Sequence, residues 1–469
     1  MQVMKWSLMA LAIAAATSQM AYAVDVEDSK SFDSENPVAS EGLSSQAQSN
    51  GFFEDADLTL LNRNFAFYRD FNHGVSDQNY RNEWAHGFMT TFTSGFTKGI
   101  VGFGVDAFGN VGLRLNSGPG IGGTGLLPVN GSNPDEGQSE YGIAGGAVKA
   151  RVSETVLAFG QQRPESPVFA TGDSRLLPSY ATGTTLSSAE ITDLTLQSGY
   201  FYSGSGAAST NQNGELSTVY GGTDFNTAQY VGGDYAFSDT LGFGLHAAQY
   251  SDVWNQYYAD LYHTFNISDD MSLSTSLNYY KTKDEGNADA GDIDTNAFSG
   301  ALALAVGVQT FTIAHQQVNG DTPFDYVNIG GSDGNSIFLA NSVQISDFNG
   351  PGEKSYQARY DIDLSEMVTP GLSFMVRYVK GTDSDGSNIT SDSAYWNSDD
   401  GISGYGNDGD EWERNIELQY VIQSGAAKDL SFRVRQASWR ANNDYNNSGD
   451  GATGIDEVRF ITEYPLDIL

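Results

Sequence analysis

The sequence predicts an all-β fold, a transmembrane antiparallel β-barrel of 18 strands. Three observations carry this reading. A secretory leader takes the chain out of the cytoplasm. Segments of about ten residues then alternate apolar and polar side chains, the period of a strand with two unlike faces. The connections between those segments alternate short turns with long polar loops, as an up-and-down sheet requires.

The leader comes first in the chain. Lys5 supplies a positive n-region, Leu8 to Ala16 an apolar h-region, and Ala21-Tyr22-Ala23 a small-x-small cleavage site. Residues 1–23 therefore read as a signal peptide, with an apolar run too short to span a bilayer. Residues 24–50 are polar, acidic and poor in large apolar groups, and read as a flexible N-terminal extension. Residues 51–469 are assigned to the barrel. No later run of about 18 apolar residues exists, which excludes a helical membrane protein. The absence of cysteine excludes disulfides and thiolate metal sites. A formal charge of -36 repels phosphates and argues against nucleic acid as a partner.

The strands follow from Phe52 onward. Ser272-Leu-Ser-Thr-Ser-Leu-Asn-Tyr279, Ser355-Tyr-Gln-Ala-Arg-Tyr-Asp-Ile-Asp-Leu364, Ser373-Phe-Met-Val-Arg-Tyr378 and Asn415-Ile-Glu-Leu-Gln-Tyr-Val-Ile422 each put apolar or aromatic residues on one face. The least distinct pair is Thr182 to Ile191 with Leu194 to Tyr202. Thr97-Lys-Gly99, Ser238-Asp-Thr240, Ser268-Asp-Asp270, Gly307-Val-Gln309 and Gln423 to Lys428 are the short turns. Between them lie long loops such as Asn116 to Glu140, Gln161 to Thr182, Asn319 to Lys354 and Thr382 to Glu413. A sheet in lipid leaves no edge unpaired, so it must close. Trp84, Phe88, Trp254, Tyr257, Tyr258, Trp412 and Trp439 near strand ends are expected in the aromatic girdles at the headgroups.

Particular residues add a resemblance. Gly51-Phe-Phe-Glu-Asp, Leu60-Leu-Asn-Arg-Asn-Phe65 and Tyr68-Arg-Asp70 resemble the first strand of the OprD-type porins, the outer-membrane carboxylate channels. Ser94 to Gly109 resembles that family's next hairpin. Pro164-Glu-Ser-Pro-Val-Phe, Gly172-Asp-Ser-Arg-Leu-Leu-Pro178 and Ala181-Thr-Gly183 resemble its inward-folded third loop. Ser336 to Val343, Phe348 to Lys354, Lys428 to Arg435 and Tyr464 to Leu469 resemble its C-terminal half. The chain ends in Leu469 where many outer-membrane barrels end in an aromatic, and this ending resembles the family's own. The resemblance implies a Gram-negative outer-membrane location and passive uptake of small carboxylates, either amino acids or aromatic and cyclic acids.

In such a barrel the period of 2 sends Phe432 and Val434 to lipid and Arg433 and Arg435 to the lumen. The reverse would cost about 2–4 kcal/mol for each arginine at the midplane. The same parity turns Arg359, Arg377 and Arg459 inward, giving a basic stripe over neighbouring late strands. That stripe resembles the family's arginine ladder, a path for carboxylate-bearing solutes. Arg63, on the first strand beside the last, extends it if it points inward; Phe65 and Phe67 share its face and leave the parity open. Pairing with lumenal acids such as Asp361, Asp363, Glu417 and Glu463 to stiffen the wall is the alternative use of these arginines. Arg163, Asp173, Ser174 and Arg175 of the third loop are expected to line the constriction, with Tyr280, Asp325 and Tyr326 as further candidates.

Other motifs carry no chemistry. Gly102-x-Gly104 and Gly242-x-Gly244 precede no helix and read as strand glycines. The five histidines show no metal spacing, and the aspartates between Asp383 and Asp410 lack the ligand order of an EF-hand. No cofactor is implied. The partners implied are small carboxylates, outer-membrane lipid and lipopolysaccharide, with the barrel a monomer or a loose homotrimer. A barrel enzyme such as a lipid hydrolase would need a nucleophile and a histidine on the lipid-facing rim, which the sequence does not assemble. A secreted adhesive or carbohydrate-binding β-protein would be recovered without detergent.

Overall fold

The computed structural model describes residues 44–72, 79–116, 120–131, 133–397, 402–403, 405–445 and 453–469. The signal peptide and residues 24–43 lie outside them. In chain order the first strands are β1 (Asp57–Asn72), β2 (Tyr80–Thr93), β3 (Gly102–Arg114), β4 (Val129–Asn130), β5 (Asn133–Gly137), β6 (Glu140–Val152) and β7 (Thr155–Gln162). The third long loop holds β8 (Glu165–Ser166) and β9 (Phe169–Ala170), and is followed by β10 (Tyr180–Ile191) and β11 (Leu194–Ser205). The fourth holds β12 (Leu216–Thr218) and β13 (Asp224–Phe225). Next come β14 (Ala228–Ser238), β15 (Leu241–Tyr250), β16 (Trp254–Ser268), β17 (Met271–Asp284), β18 (Asp294–Val306) and β19 (Gln309–Asn319). The seventh loop holds β20 (Val327–Ile329) and β21 (Ser332–Asp333), then β22 (Lys354–Asp363) and β23 (Leu372–Asp385) follow. After β24 (Trp396–Asn397) and β25 (Ile402–Ser403), the chain ends with β26 (Asn407–Val421), β27 (Ser431–Ala441) and β28 (Gly454–Asp467).

Eighteen of these strands form one antiparallel sheet. It closes because β1 pairs with β28 from Thr59↔Asp467 to Asn72↔Gly454 while pairing with β2 on its other side. Closure leaves no unpaired edge for lipid to meet. The least distinct pair of the sequence reading is β10 and β11, in register from Tyr180↔Ser205 and starting slightly earlier than expected. At one end two-residue turns link β6 to β7, β10 to β11, β14 to β15, β16 to β17 and β18 to β19. Gly307 follows Val306, which pairs directly with Gln309, and its φ of 58° belongs to the left-handed region that such a turn demands.

Burial is inverted relative to a water-soluble sheet. Val434, Val458 and Phe460 are exposed on the outside, while Arg435 and Arg459 between them are buried within. The hydrophobic core therefore does not sit between two layers; it lies inside the ring, where loops fold onto the wall. Its largest cluster joins Phe169 of the third loop, Phe201 and Tyr230 of the wall, and Phe324 and Leu339 of the seventh loop. A four-stranded sheet in the order β13-β12-β20-β21 ties the fourth loop to the seventh. This inner core corrects part of the aromatic assignment. Trp84, Phe88 and Tyr257 are exposed on the outer face, but Trp254, Tyr258 and Trp439 are buried inside, recruited by the loops.

Residues 44–50 belong to the segment expected to be a flexible extension. Residues 44–50 are packed at the short-turn end: Gln46 Nε2 donates to the carbonyls of Thr97 (3.0 Å) and Gly99 (3.1 Å), and Arg151 Nε donates to Gln46 Oε1 (3.0 Å). Gln46 is buried, so this segment is part of the periplasmic rim.

Candidate functional site: the lumen and its inward loops

The lumen is narrowed by loops whose positions are fixed by buried polar groups of the wall. The third loop is held from both sides. Arg63 Nη1 donates to Asp173 Oδ1 (2.7 Å) and to the carbonyl oxygens of Arg175 (2.9 Å) and Leu176 (3.3 Å), while its Nε donates to Glu463 (2.6 Å). Arg163 reaches the other oxygen of Asp173 at 3.3 Å. Arg63 therefore points inward, and the shared face with Phe65 and Phe67 has a plain cause. Both phenylalanines are covered by Leu176 and Leu177 of the loop. Ser174 Oγ accepts from Arg175 Nη1 at 2.9 Å, and Arg175 lies 6.0 Å from the Phe67 ring centroid.

The seventh loop, in which the sequence offered only Asp325 and Tyr326 as site candidates, is held by many wall side chains. Glu413 of β26 is fully buried and accepts from the backbone N–H groups of Gln344 (3.1 Å), Ile345 (3.1 Å) and Ser346 (2.8 Å). Glu457 of β28 accepts from Gln344 Nε2 (3.0 Å), and Ser299 Oγ of β18 accepts from the Ala340 N–H (2.9 Å). Gln316 of β19 donates to the carbonyls of Asp347 (2.8 Å) and Phe348 (2.9 Å). All these wall residues face the lumen, so residues 338–348 lie across it. At the loop's inner margin the Asp347 carboxylate accepts from Tyr220 (2.6 Å), Tyr326 (3.0 Å) and Ser342 (2.5 Å) hydroxyls.

Three expected constriction residues have a different place. Tyr280 is fully buried; its hydroxyl donates to the Pro167 carbonyl (2.9 Å) and accepts from the Phe338 N–H (3.0 Å), joining the third loop to the seventh. Asp325 and Tyr326 are buried in the seventh loop. The Asp325 carboxylate accepts from the N–H groups of Tyr220 (3.0 Å), Gly221 (2.9 Å) and Tyr326 (2.7 Å) and from the Tyr395 hydroxyl (3.2 Å). Burial pushes its carboxyl up to about 6, against the lowering effect of those donors. These residues set the loops' positions and do not present exposed surface to a solute. The signal that would have found Glu413 is the alternation Glu411-Trp-Glu-Arg-Asn-Ile-Glu417, which begins ahead of Asn415, the strand start taken from sequence.

The inward arginines occupy one region of the wall. Arg359 and Arg377 are direct cross-strand partners, as are Arg435 and Arg459. Each is steadied by a polar neighbour. Arg359 Nη2 meets Asp361 at 2.7 Å, and Arg377 Nε donates to Asn415 at 2.9 Å. Glu417 lies between Arg435 (2.8 Å) and Arg433 (3.7 Å). Glu457 pairs with Arg459 at 2.8 Å and also with Arg69. The inward arginines are thus paired with wall acids and amides and also neighbour one another across adjacent strands. Halfway round the ring, Asp234 of β14 and Asp260 of β16 converge across Gly244, where a Cβ would meet their Oδ1 atoms at 2.6 and 2.3 Å. His246 Nε2 lies 3.3 Å from Asp234. Among the described residues no group of three or more His, Asp and Glu is placed to hold a metal ion.

Comparison with known proteins agrees with this architecture. The family model described as "outer membrane porin, OprD family" matches residues 50–468. Porin D of Pseudomonas aeruginosa is 46% identical over the full length of both chains. The solved structure of OprD from Pseudomonas aeruginosa superposes with a TM-score of 0.77 at 46% identity, covering 91% of this chain and 99% of that one. OpdK of Pseudomonas aeruginosa, solved with vanillate, superposes with a TM-score of 0.77 at 34% identity over 89% of this chain and 100% of that one. A closed 18-stranded wall, inward-folded loops and matches of this extent lead to one conclusion: the chain belongs to the OprD family of outer membrane porins.

Proposed function

We propose that this porin admits small carboxylate-bearing solutes by passive diffusion along Arg359, Arg377, Arg433, Arg435, Arg459 and Arg63. The observation that carries the reading is the pairing of like charges. Arg359 sits directly opposite Arg377, and Arg435 opposite Arg459. Like charges at directly opposed positions repel, so two such pairs in one region of wall, beside the resident acids Asp361, Glu417 and Glu457, make a stretch that favours anionic groups. Guanidinium forks hold a carboxylate through two parallel hydrogen bonds, and neighbouring forks offer the next site at similar energy. Asp234 and Asp260 on the far wall complete a transverse field, which favours solutes that also carry an amine. A relative solved with vanillate, a carboxylate, is consistent with this solute class. Arg163, Asp173, Ser174 and Arg175 form the third-loop side of the constriction on this reading.

Transport of this kind is diffusion and not catalysis, so the test is electrical. Single-channel currents in planar bilayers are recorded while a panel of carboxylates is added. Wild type shows concentration-dependent block by a preferred carboxylate, and Arg433→Gln with Arg435→Gln abolishes it. Equal block in both proteins would remove the ladder from the mechanism.

A further inference from the structure

Charged side chains also stand outward toward the long-loop ends of the late strands, and three of them are cations close to one another. Lys380, Arg414 and Arg440 point outward, since Val379, Asn415 and Trp439 beside them are buried within. Lys380 and Arg440 lie toward the long-loop ends of β23 and β27, and Arg414 lies mid-strand on β26, two residues after Trp412. Lys380, Trp412 and Arg440 form one cross-strand row, and Tyr378, Arg414 and Ser438 form the next row toward the membrane. The Tyr378 and Trp412 rings stack at 5.8 Å, and the Arg440 guanidinium lies 5.9 Å from the Trp412 centroid. Below them the outward positions are Val376, Ile416, Leu418 and Val434, an apolar face suited to acyl chains.

The cations are not equivalent. Lys380 pairs with Asp410 at 2.8 Å, and Arg440 pairs with Asp456 at 2.7 Å. Asp70 lies opposite Asp456 on the next strand, on the side away from Arg414. Arg414 is exposed and donates only to neutral groups, Gln436 Oε1 at 3.2 Å and Ser438 Oγ at 3.4 Å. Among the described residues it has no ion pair. A permanently charged fork held at the headgroup level by neutral acceptors, beside an interfacial Trp and Tyr, is built to meet an anion that arrives from the membrane.

We propose that the Tyr378–Trp412–Arg414 face binds a phosphorylated lipid headgroup of the outer leaflet, with Arg414 as its main phosphate donor and Lys380 as a second. A phosphate seated between Arg414 and Lys380 places its acyl chains over Ile416 and Leu418. The proposal is independent of what passes through the lumen.

The test is native mass spectrometry of the detergent-solubilised barrel titrated with bisphosphorylated lipid A and with its dephosphorylated form. Wild type retains the phosphorylated lipid. Arg414→Gln weakens that binding about tenfold, the scale of one charge-assisted contact. Arg433→Gln, inside the lumen, leaves it unchanged. Dephosphorylated lipid binds wild type no better than phosphorylated lipid binds the variant, and inorganic phosphate does not displace the lipid. Heat-modifiable gel migration verifies folding, and Lys380→Gln gives a second, smaller reading should Arg414→Gln assemble poorly. Equal affinity of wild type and both variants overturns the proposal. So does displacement by inorganic phosphate, or a multimer that Arg414→Gln dissociates, which would make a second copy the occupant.

Discussion

Glu413→Gln isolates the force that holds the seventh loop across the lumen. The wild-type carboxylate is wholly buried and accepts three backbone N–H groups in succession, from Gln344, Ile345 and Ser346, together with Asn415 Nδ2 at 2.6 Å. The amide keeps the volume and one acceptor, but it replaces the other oxygen with a donor aimed at the Ile345 and Ser346 N–H groups. A hydrogen bond to a charged group contributes about 1.5–3 kcal/mol. Losing one such bond outright and weakening its neighbours removes about 2–3 kcal/mol, which shifts the ratio of docked to undocked loop by about 30- to 150-fold. The wall strands keep their ladder, so the barrel still assembles. Hydrogen exchange in detergent reads the change directly: amides of residues 340–348 lose protection by about that factor while those of β26 and β27 do not. Planar-bilayer recording reads it functionally as a larger and noisier unitary current. Unaltered protection at 344–346 together with an unaltered current would refute the assignment of Glu413 as the loop's anchor.

Two further predictions concern the same inner framework. Tyr280→Phe removes the hydroxyl that joins the Pro167 carbonyl to the Phe338 N–H, at a cost of about 1–3 kcal/mol; faster exchange at Phe338 and added current noise are expected, and a silent variant would show that the two loops are held independently. Asp325, in the seventh loop outside the wall strands, has its carboxyl raised from 3.8 to about 6 by burial. The docked state therefore binds a proton more tightly than the undocked one, so this group's contribution is complete below pH 3.8 and is lost as pH rises to about 6, by about 3 kcal/mol at most. Exchange protection around Tyr220 and Tyr326 should fall across that window and level off above it, and a protection profile that rises there would reverse the sign.

The wall was legible because its rule is local. Each outward Val, Leu or Phe answers to lipid, and each intervening residue answers to the lumen, so Phe432-Arg-Val-Arg435 fixes its own orientation without reference to any partner. The inner loops obey no such rule. Trp254 and Trp439 look in sequence like interfacial aromatics, and their burial inside depends on loops far away in the chain. Asp325 and Tyr326 look like polar constriction groups, yet their donors Tyr220, Gly221 and Tyr395 come from two other loops. Glu413 stands 67 residues from Ser346, and nothing in either neighbourhood names the other. Period 2 tells which way a side chain points; it does not tell what fills the space it points into.

That distinction bears on how the arginines act. An unpaired row of guanidinium groups would hold a carboxylate too well to release it, because charge-assisted forks are strong where water is scarce. Here one acid is shared by two cations at successive places: Glu417 between Arg433 and Arg435, and Glu457 between Arg69 and Arg459. Sharing gives each pair of arginines a built-in competitor for the same donors. A solute carboxylate then exchanges with a resident carboxylate at each step, and neither capture nor release carries the full energy of a bare ion pair. Conduction requires binding of that moderate, distributed kind. On this reading Glu417→Gln tightens carboxylate binding and slows passage, giving longer block events at lower solute concentration, whereas a residue that merely stiffened the wall would shorten them by loosening Arg433 and Arg435 together.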